Sequence, residues 1–229
     1  MISEFLSSIY EELKISLNEK QISQFEIYYK TLIEYNQKIN LTSITEHSEV
    51  YKKHFLDSIM LATAFPFYNQ SVLDIGSGAG FPSIPLKIVF PELRITIIDS
   101  LQKRINFLQD LTDKLSISVE LLHGRAEELN RKEEFDVVTA RAVANFRVLS
   151  ELCIPYVKVS GVFLSMKGPN YKEELEQSKN AISTLGGKLV AVHKYQIYDM
   201  NRIIIQVQKI KQTPKKYPRK FSKIKSNPL

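Results

Sequence analysis

Val72 to Pro82 reads VLDIGSGAGFP: an apolar run, an aspartate, then three glycines, Gly76, Gly78 and Gly80, within five residues. A glycine-rich turn directly behind a short strand is where nucleotide-like cofactors are held, because glycine lets the backbone turn tightly and approach the ligand closely. The spacing separates the candidates. Gly76 and Gly78 fit the dinucleotide fingerprint G-x-G-x-x-G, but position 81 is Phe and Gly80 comes one residue early. The lysine and serine of a P-loop are absent, since GFPSIP follows the last glycine. Asp74, at the head of the loop, would sit poorly beside a pyrophosphate and is a candidate contact for a positively charged cofactor. S-adenosylmethionine (AdoMet) fits better: it has no phosphate, it carries an ammonium and a sulfonium, and its ribose hydroxyls need an acceptor.

Working outward, Asp99 closes the next β-rich run, TIIDS, and is placed to receive ribose hydroxyls as an acidic residue does in the dinucleotide folds. A helix N-cap is the alternative for Asp99; for Asp74, followed by glycines and no immediate helix, capping fits less well. From Ser71 onward short β-rich runs alternate with amphipathic helical ones: SVLDI, RITIID, VELLHG, FDVVTA and GVFLSMKG. That alternation implies a parallel sheet covered on both faces. GKLVAVHKY and NRIIIQVQKI then follow with only Gln196 to Met200 between them, too short a gap for a parallel crossover, so the pair is expected to be an antiparallel hairpin. Before the sheet, Phe5, Ile9 and Leu13, then Ile22 to Tyr35, then Val50 to Leu61 recur at helical spacing. The expected architecture is α/β: a Rossmann-like, class I AdoMet-dependent methyltransferase with a seven-stranded sheet ending in an antiparallel hairpin. A helical N-terminal extension over 1–66, an AdoMet-binding domain over 67–210 and a basic C-terminal tail over 211–229 complete the division.

The chain has 229 residues, 44% hydrophobic and 24% charged, the composition of an ordinary globular protein with a sizeable core. One cysteine, Cys153, excludes an intramolecular disulfide, argues against a zinc cluster and suits a reducing compartment. With no signal-like N-terminus and no apolar run long enough to span a membrane, a cytoplasmic protein is expected. The net charge of +6 is unevenly distributed. Lys209 to Lys225 holds eight of the 31 basic residues and no acidic one, leaving 23 basic against 25 acidic in the body. A solvated tail is one reading of this segment. The interleaved Tyr217, Phe221 and Ile224 favour contact with a polyanion, and Lys215, Lys216, Arg219 and Lys220 are candidate RNA contacts. Because the segment lies past the last strand, it is expected to leave cofactor binding alone.

Several stretches together carry a resemblance: NQKINLTSITE, KKHFLDSIM, DIGSGAGFPSIPLKI, GRAEEL, FDVVTARAVA and PKKYPRK…NPL. From about Asn36 to Leu229 the chain resembles the bacterial ribosomal RNA small subunit methyltransferase G family, also called glucose-inhibited division protein B. Members methylate N7 of a guanine in the decoding-region loop of 16S rRNA, on a Rossmann-like AdoMet domain with a helical N-terminal extension. By motif, the resemblance implies cofactor contacts at Gly76, Gly78, Phe81, Asp99, Ser100, Ala126, Glu127 and Arg141. The tail departs from the family's glycine-x-proline after YPRK, reading Phe221-Ser222-Lys223-Ile224. The implied partner is 16S rRNA, naked or in a small-subunit assembly particle, with the protein acting as a monomer and without metal.

The residues agree with that chemistry. After the fourth strand the chain offers TARAVANF, with no Asn/Asp-Pro-Pro-aromatic element for an exocyclic amine. Cys153, in the amphipathic FRVLSELCIPYV, reads as a buried structural thiol rather than the nucleophile a pyrimidine carbon-5 target needs. Guanine N7 has an in-plane lone pair and no proton to lose, so positioning suffices and no general base is required. A ribose 2′-hydroxyl, a small-molecule substrate and an RNA-binding protein without turnover remain alternatives. Arg141 has the AdoMet carboxylate, guanine O6, a phosphate or a salt bridge as partners. Arg125 is either a phosphate contact or a solvated charge, and His123 is structural. Asn40 and His54 are candidate positioning residues, in an extension that also contains Thr42 and Asp57; the plainer reading has Thr42 or Thr45 capping a helix and His54 packing on the next.

Overall fold

The computed structural model describes residues 2–141 and 144–229; Ala142 and Val143, within the quoted FDVVTARAVA stretch, and Met1 lie outside the described residues. Helix α1 (Ile2–Leu13) buries Phe5 and Ile9. Helix α2 (Glu19–Ile39) opens on a capping box, in which the Asn18 side chain accepts from the Gln21 N–H and the Gln21 side chain accepts from the Asn18 N–H. It stops at Asn40, which takes the left-handed conformation at φ 47°, ψ 70°, one of the few residue types that do so readily. A third helical run contains α3 (His47–Val50), a π-helical turn (Tyr51–Leu56), α4 (Asp57–Ile59) and a 3₁₀ turn (Met60–Thr63). The wide π turn shifts the helical phase, so Phe55 through Leu61 are all buried, more than a regular amphipathic face accommodates.

Seven strands follow: β1 (Ser71–Ile75), β2 (Arg94–Asp99), β3 (Glu120–His123), β4 (Phe135–Arg141), β5 (Val157–Lys167), β6 (Gly187–Ile197) and β7 (Met200–Lys209). Their order is β3-β2-β1-β4-β5-β7-β6; the first five run parallel and β7 lies antiparallel between β5 and β6. The expected closing hairpin is present, with a tighter turn than the sequence spacing suggested. Ile197 pairs with Met200, so two residues, Tyr198 and Asp199, make the turn. Helices α5 (Ser83–Val89) and α6 (Gln102–Leu115) cover one face together with α1–α4, in a continuous core that runs from Phe5 through Phe25, Phe55 and Leu108 to Ile97 and Ile204. Helices α7 (Phe146–Cys153), α8 (Lys172–Gln177) and α9 (Lys179–Thr184) cover the other. Burial on both faces explains why the central strands read as continuous apolar runs.

The C-terminal segment is not an appendage. Tyr217 and, from α10 (Phe221–Ser226), Ile224 enter the second core, at 5% and 0% exposure. Lys209 belongs to β7 and is itself buried, its ammonium donating to the Ile154 and Val157 carbonyls and facing Glu133 at 3.2 Å.

The helical extension seats directly on the glycine loop. The Tyr28 hydroxyl donates to the Ala79 carbonyl at 2.5 Å, and its ring stacks on Phe81 at 5.5 Å. Gly80 has φ +93°, and a Cβ there would lie 2.7 Å from Ile84 Cγ1 and 2.8 Å from the Tyr28 hydroxyl. The third glycine is therefore demanded by φ and by the packing of α2, α5 and α6. Gly80→Ala is expected to cost roughly 2–4 kcal/mol, from the left-handed backbone and the overpacking together. Urea denaturation of the variant against the parent chain measures it.

Candidate active site

A cavity of about 530 Å³ opens at the carboxyl ends of β3, β2, β1 and β4, the place where open α/β sheets hold ligands. Its floor is the turn after β1, where Gly76 and Gly78 adopt φ of 71° and 62°. A Cβ on Gly78 would meet nothing within 4 Å, because that position faces open space. Ser77 lines the cavity, and its hydroxyl oxygen is buried without a hydrogen-bond partner. Asp99, 2% exposed, closes β2 at mid-cavity. One carboxylate oxygen accepts from the Leu101 N–H at 2.9 Å; the other accepts from Gly78 N–H at 3.2 Å and faces Arg104 at 3.3 Å. Asp99 thus shapes the turn into α6 and lines the cavity at once. Arg104 was not anticipated, since nothing in its sequence context distinguishes it from a solvated helix charge. Ser100, Arg125, Ala126 and Glu127 also line the cavity, near the end of β3. The Ala126 carbonyl is held by the Tyr156 hydroxyl, and Arg125 stands 4.0 Å from Glu127. His123 is exposed beside the Ser100 carbonyl.

The opposite wall is built by the π turn and the end of β4. Arg141, 16% exposed, donates to the Asp57 carboxylate at 3.2 Å, and its other terminal nitrogen lies 3.2 Å from His54 Nδ1. The guanidinium lies over the Phe81 ring at 4.7 Å, and His54 stacks on the same ring at 4.6 Å and 24°. Phe81, where the dinucleotide fingerprint has glycine, is thus the shelf on which this wall rests. Burial, then the Arg141 charge, pulls the His54 pKa down to about 3. Nδ1 of His54 lies between the Arg141 guanidinium, a donor at 3.2 Å, and the Lys53 carbonyl, an acceptor at 3.1 Å, while Nε2 is 2.8 Å from the Thr42 hydroxyl, which also receives the Ile44 N–H. Thr42 therefore anchors His54 instead of capping a helix; the cap of α3 is the Glu46 side chain. Asp57, 4% exposed, also takes the Tyr195 hydroxyl at 3.0 Å and faces Arg202 at 3.4 Å.

Three expected site residues stand elsewhere. Asn40 is exposed and lines neither this cavity nor its neighbour; its place is set by the helix stop. Asp74 is wholly buried beneath the loop instead of lining the cavity. One of its oxygens accepts from the Ser83 hydroxyl and, at 3.3 Å, from the Ser83 N–H at the start of α5, while the other has no partner. Asp74 thus satisfies the first N–H of α5 from nine residues away, while the N-cap position itself is Pro82. Arg219 is locked onto Glu151 of α7, which is 0% exposed, through two guanidinium contacts of 2.8 and 2.5 Å. Lys215, Lys216 and Lys220 are exposed. Phe221 lines the large cavity, so the segment is not remote from it. Cys153 is buried, and desolvation raises its thiol pKa.

Two measurements follow from this geometry. Burial raises the Asp74 pKa from 3.8 to about 7. Between those values the folded state holds a proton that the unfolded chain has lost, so Asp74 favours folding fully below about pH 4 and less as pH rises through 7. Asp74→Asn, with no charge to form, is expected to lose less stability than the parent between pH 4 and 7 and to be the more stable of the two at pH 8. Chemical denaturation across that range reads the difference. Arg219→Ala leaves Glu151 buried and unpaired and is expected to cost about 3–5 kcal/mol, whereas Lys215→Ala stays within about 0.5 kcal/mol; thermal melting of the two separates the anchoring cation from the exposed one.

Comparison with known proteins places these features in a family. The family model described as rRNA small subunit methyltransferase G matches residues 21–203. Ribosomal RNA small subunit methyltransferase G of Oceanobacillus iheyensis is 53% identical over 96% of this chain and 95% of its own length. The protein of that name from Lactococcus lactis subsp. lactis is 52% identical over 99% and 98%. Among solved structures the fold is similar to a methyltransferase from Pyrococcus furiosus, with TM-score 0.59 and 14% identity over 82% of this chain and 99% of that one. It is also similar to M. jannaschii TYW2 in complex with AdoMet, with TM-score 0.53 and 18% identity over 62% and 70%. With four-fifths of its length matched by the model and relatives above half identity end to end, the chain belongs to the rRNA small subunit methyltransferase G family.

Proposed function

We propose that this protein transfers a methyl group from AdoMet to N7 of a guanine in the decoding-region loop of 16S rRNA. The residues of the large cavity fit the cofactor. Asp99 offers a carboxylate for the ribose hydroxyls, and Gly78 leaves the backbone open to close approach. Gly76, Phe81, Ser100, Ala126, Glu127 and Arg141 complete the binding set. When bound, AdoMet supplies an electrophilic methyl on a sulfonium. Asp74, buried below, acts on the cofactor only through the loop it braces.

The observation that carries the reading is the wall of His54 and Arg141, which separates the large cavity from a second one of about 300 Å³ and lines both. The smaller cavity is bounded by apolar Ile44 and Met166, open at Gly168, and flanked by Lys53, Lys167 and Arg202. A flat base with apolar faces and a phosphate on either side suits it. Neither wall residue serves as a base. His54 is neutral, its Nδ1 faces Arg141 and its Nε2 faces Thr42. A proton acceptor is not needed for guanine N7, which only has to be held in line. Arg141, fixed by Asp57, has the remaining N–H groups to steady guanine O6, the acceptor adjacent to N7.

Mass mapping of 16S rRNA from cells with and without this protein tests the reading: one guanine is expected to carry a base methyl only when the protein is present. A methyl on ribose or on another base would overturn N7, and no difference would leave an RNA-binding protein without turnover. The second cavity has its own test. Gly168 has open space at its Cβ and lines the smaller cavity and not the larger. Gly168→Leu is therefore expected to keep AdoMet affinity in calorimetry while methyl transfer to RNA falls on the order of ten-fold or more, about 1.4 kcal/mol.

A further inference from the structure

Phe221 is a half-buried ring at the start of α10 that forms part of the cofactor cavity wall. It is held firmly for a residue so near the end of the chain. Ile224, almost one turn on, is fully buried, and Tyr217, four residues before, is 5% exposed. Between Tyr217 and Phe221, Arg219 is fastened to Glu151, and beyond α10 the Pro228 and Leu229 carbonyls accept from Arg147 of α7. The ring is thus anchored from both sides onto one helix of the core. Arg125, from the turn after β3, lies 5.8 Å from the ring centre. On the outer side of the ring a further hollow is shared by Arg125, Glu127, Pro218 and Lys220, so Phe221 is the partition that ends the cofactor cavity.

The strand order tells which part of a ligand meets this partition. Along the cavity the strands run β4, β1, β2, β3. Arg141 and His54 stand at the β4 side, Asp99 at β2 in the middle, and Gly124 to Glu127 at the β3 end with Phe221. On the AdoMet reading argued above, the diol belongs on Asp99, and the methyl has to face the His54–Arg141 wall that the guanine cavity shares, so the sulfonium and the amino-acid portion attached to it lie toward β4. One portion remains for the β3 end: the flat, largely apolar adenine. The side chains there match it, since Ile98, Leu152 and Ala126 are apolar and at most 9% exposed, and Phe221 adds an aromatic face. We infer that Phe221 contacts the adenine ring of the cofactor, so that the basic C-terminal segment is part of the cofactor site as well as a cationic surface.

Calorimetric titration of the full chain with AdoMet and with S-adenosylhomocysteine tests this, alongside thermal melting of the ligand-free proteins. Phe221→Ala is expected to weaken both ligands by the same factor, on the order of ten-fold, as loss of one aromatic–base contact does. Phe221→Tyr, which keeps the ring, is expected to bind like the parent. Phe221→Leu keeps apolar packing against α7 but offers no flat ring, and is expected to bind both ligands more weakly while melting with the parent. Parent-like affinity in Phe221→Ala or Phe221→Leu would overturn the inference and leave the ring a cover for the core. A parent chain that binds neither ligand would instead overturn the cofactor reading on which the inference rests.

Discussion

One buried carboxylate ties this molecule together. Asp57 comes from the helical extension, yet its oxygens meet Arg141 from β4, Tyr195 from β6 and Arg202 from β7. Two guanidiniums against one carboxylate leave that junction cationic, and a phenol supplies the remaining hydrogen bond. Buried ion pairs of this kind contribute little net stability, because desolvation offsets the attraction. What they fix is geometry: a partner removed leaves a charge stranded, so the extension has one seat on the sheet. Arg141 is held at its Asp57 end and lies flat on Phe81; His54 is pinned between Arg141 and Thr42. The wall between the two cavities therefore has no freedom that the Asp57 junction does not grant it.

Tyr28 makes the same connection on the other side of the loop. Its hydroxyl satisfies the Ala79 carbonyl, and its ring and that of His54 both stack on Phe81. The extension is thus part of the glycine loop's own packing, which accounts for the loop's departure from the dinucleotide pattern. Gly80 clears space for α2, and Phe81 supplies a surface for residues 28 and 54 to rest on. A pyrophosphate loop has to present backbone N–H groups freely; this one has instead committed its third glycine and the next residue to a covering layer of helices.

What could be read from the chain and what could not divide along sequence distance. The β-rich runs, the short gap before β7 and the glycine turn are local patterns, and each strand lies within a few residues of its apolar run. Asp99 was legible because a strand end in this fold is a place defined by the strand itself. The ties of Asp57 and Arg202 were not, because their partners lie 84 and 145 residues away with no periodicity to announce them; Arg104, only five residues from Asp99, reads locally like any solvated helix charge. The π turn was invisible too, although a run of seven buried residues from Phe55 to Leu61 is its trace. Asn40 and Asp74 misled for a common reason. Both sit beside cavity residues in sequence, and in both the backbone had a nearer need: a left-handed helix stop for one, an acceptor for the first N–H of α5 for the other. In the C-terminal segment the signal was present in Tyr217, Phe221 and Ile224. Charge dominated composition there, while three apolar side chains decided where the segment lies.

The chemistry assigned to the site makes these constraints intelligible. A reaction that relied on a titrating side chain would need a group poised near neutrality and free to exchange its proton with the substrate. The imidazole at the cavity wall is the reverse: desolvated, beside a fixed positive charge and with polar neighbours at both nitrogens, it has its pKa pulled down to about 3 and is neutral near pH 7. Transfer to a lone pair that is already available asks only that donor and acceptor be held in line, and its rate then depends on how little the walls move. Rigidity is what the structure supplies, with two cavities sharing one wall, that wall stacked on the loop, and the loop and wall both fastened to helices that come before the first strand.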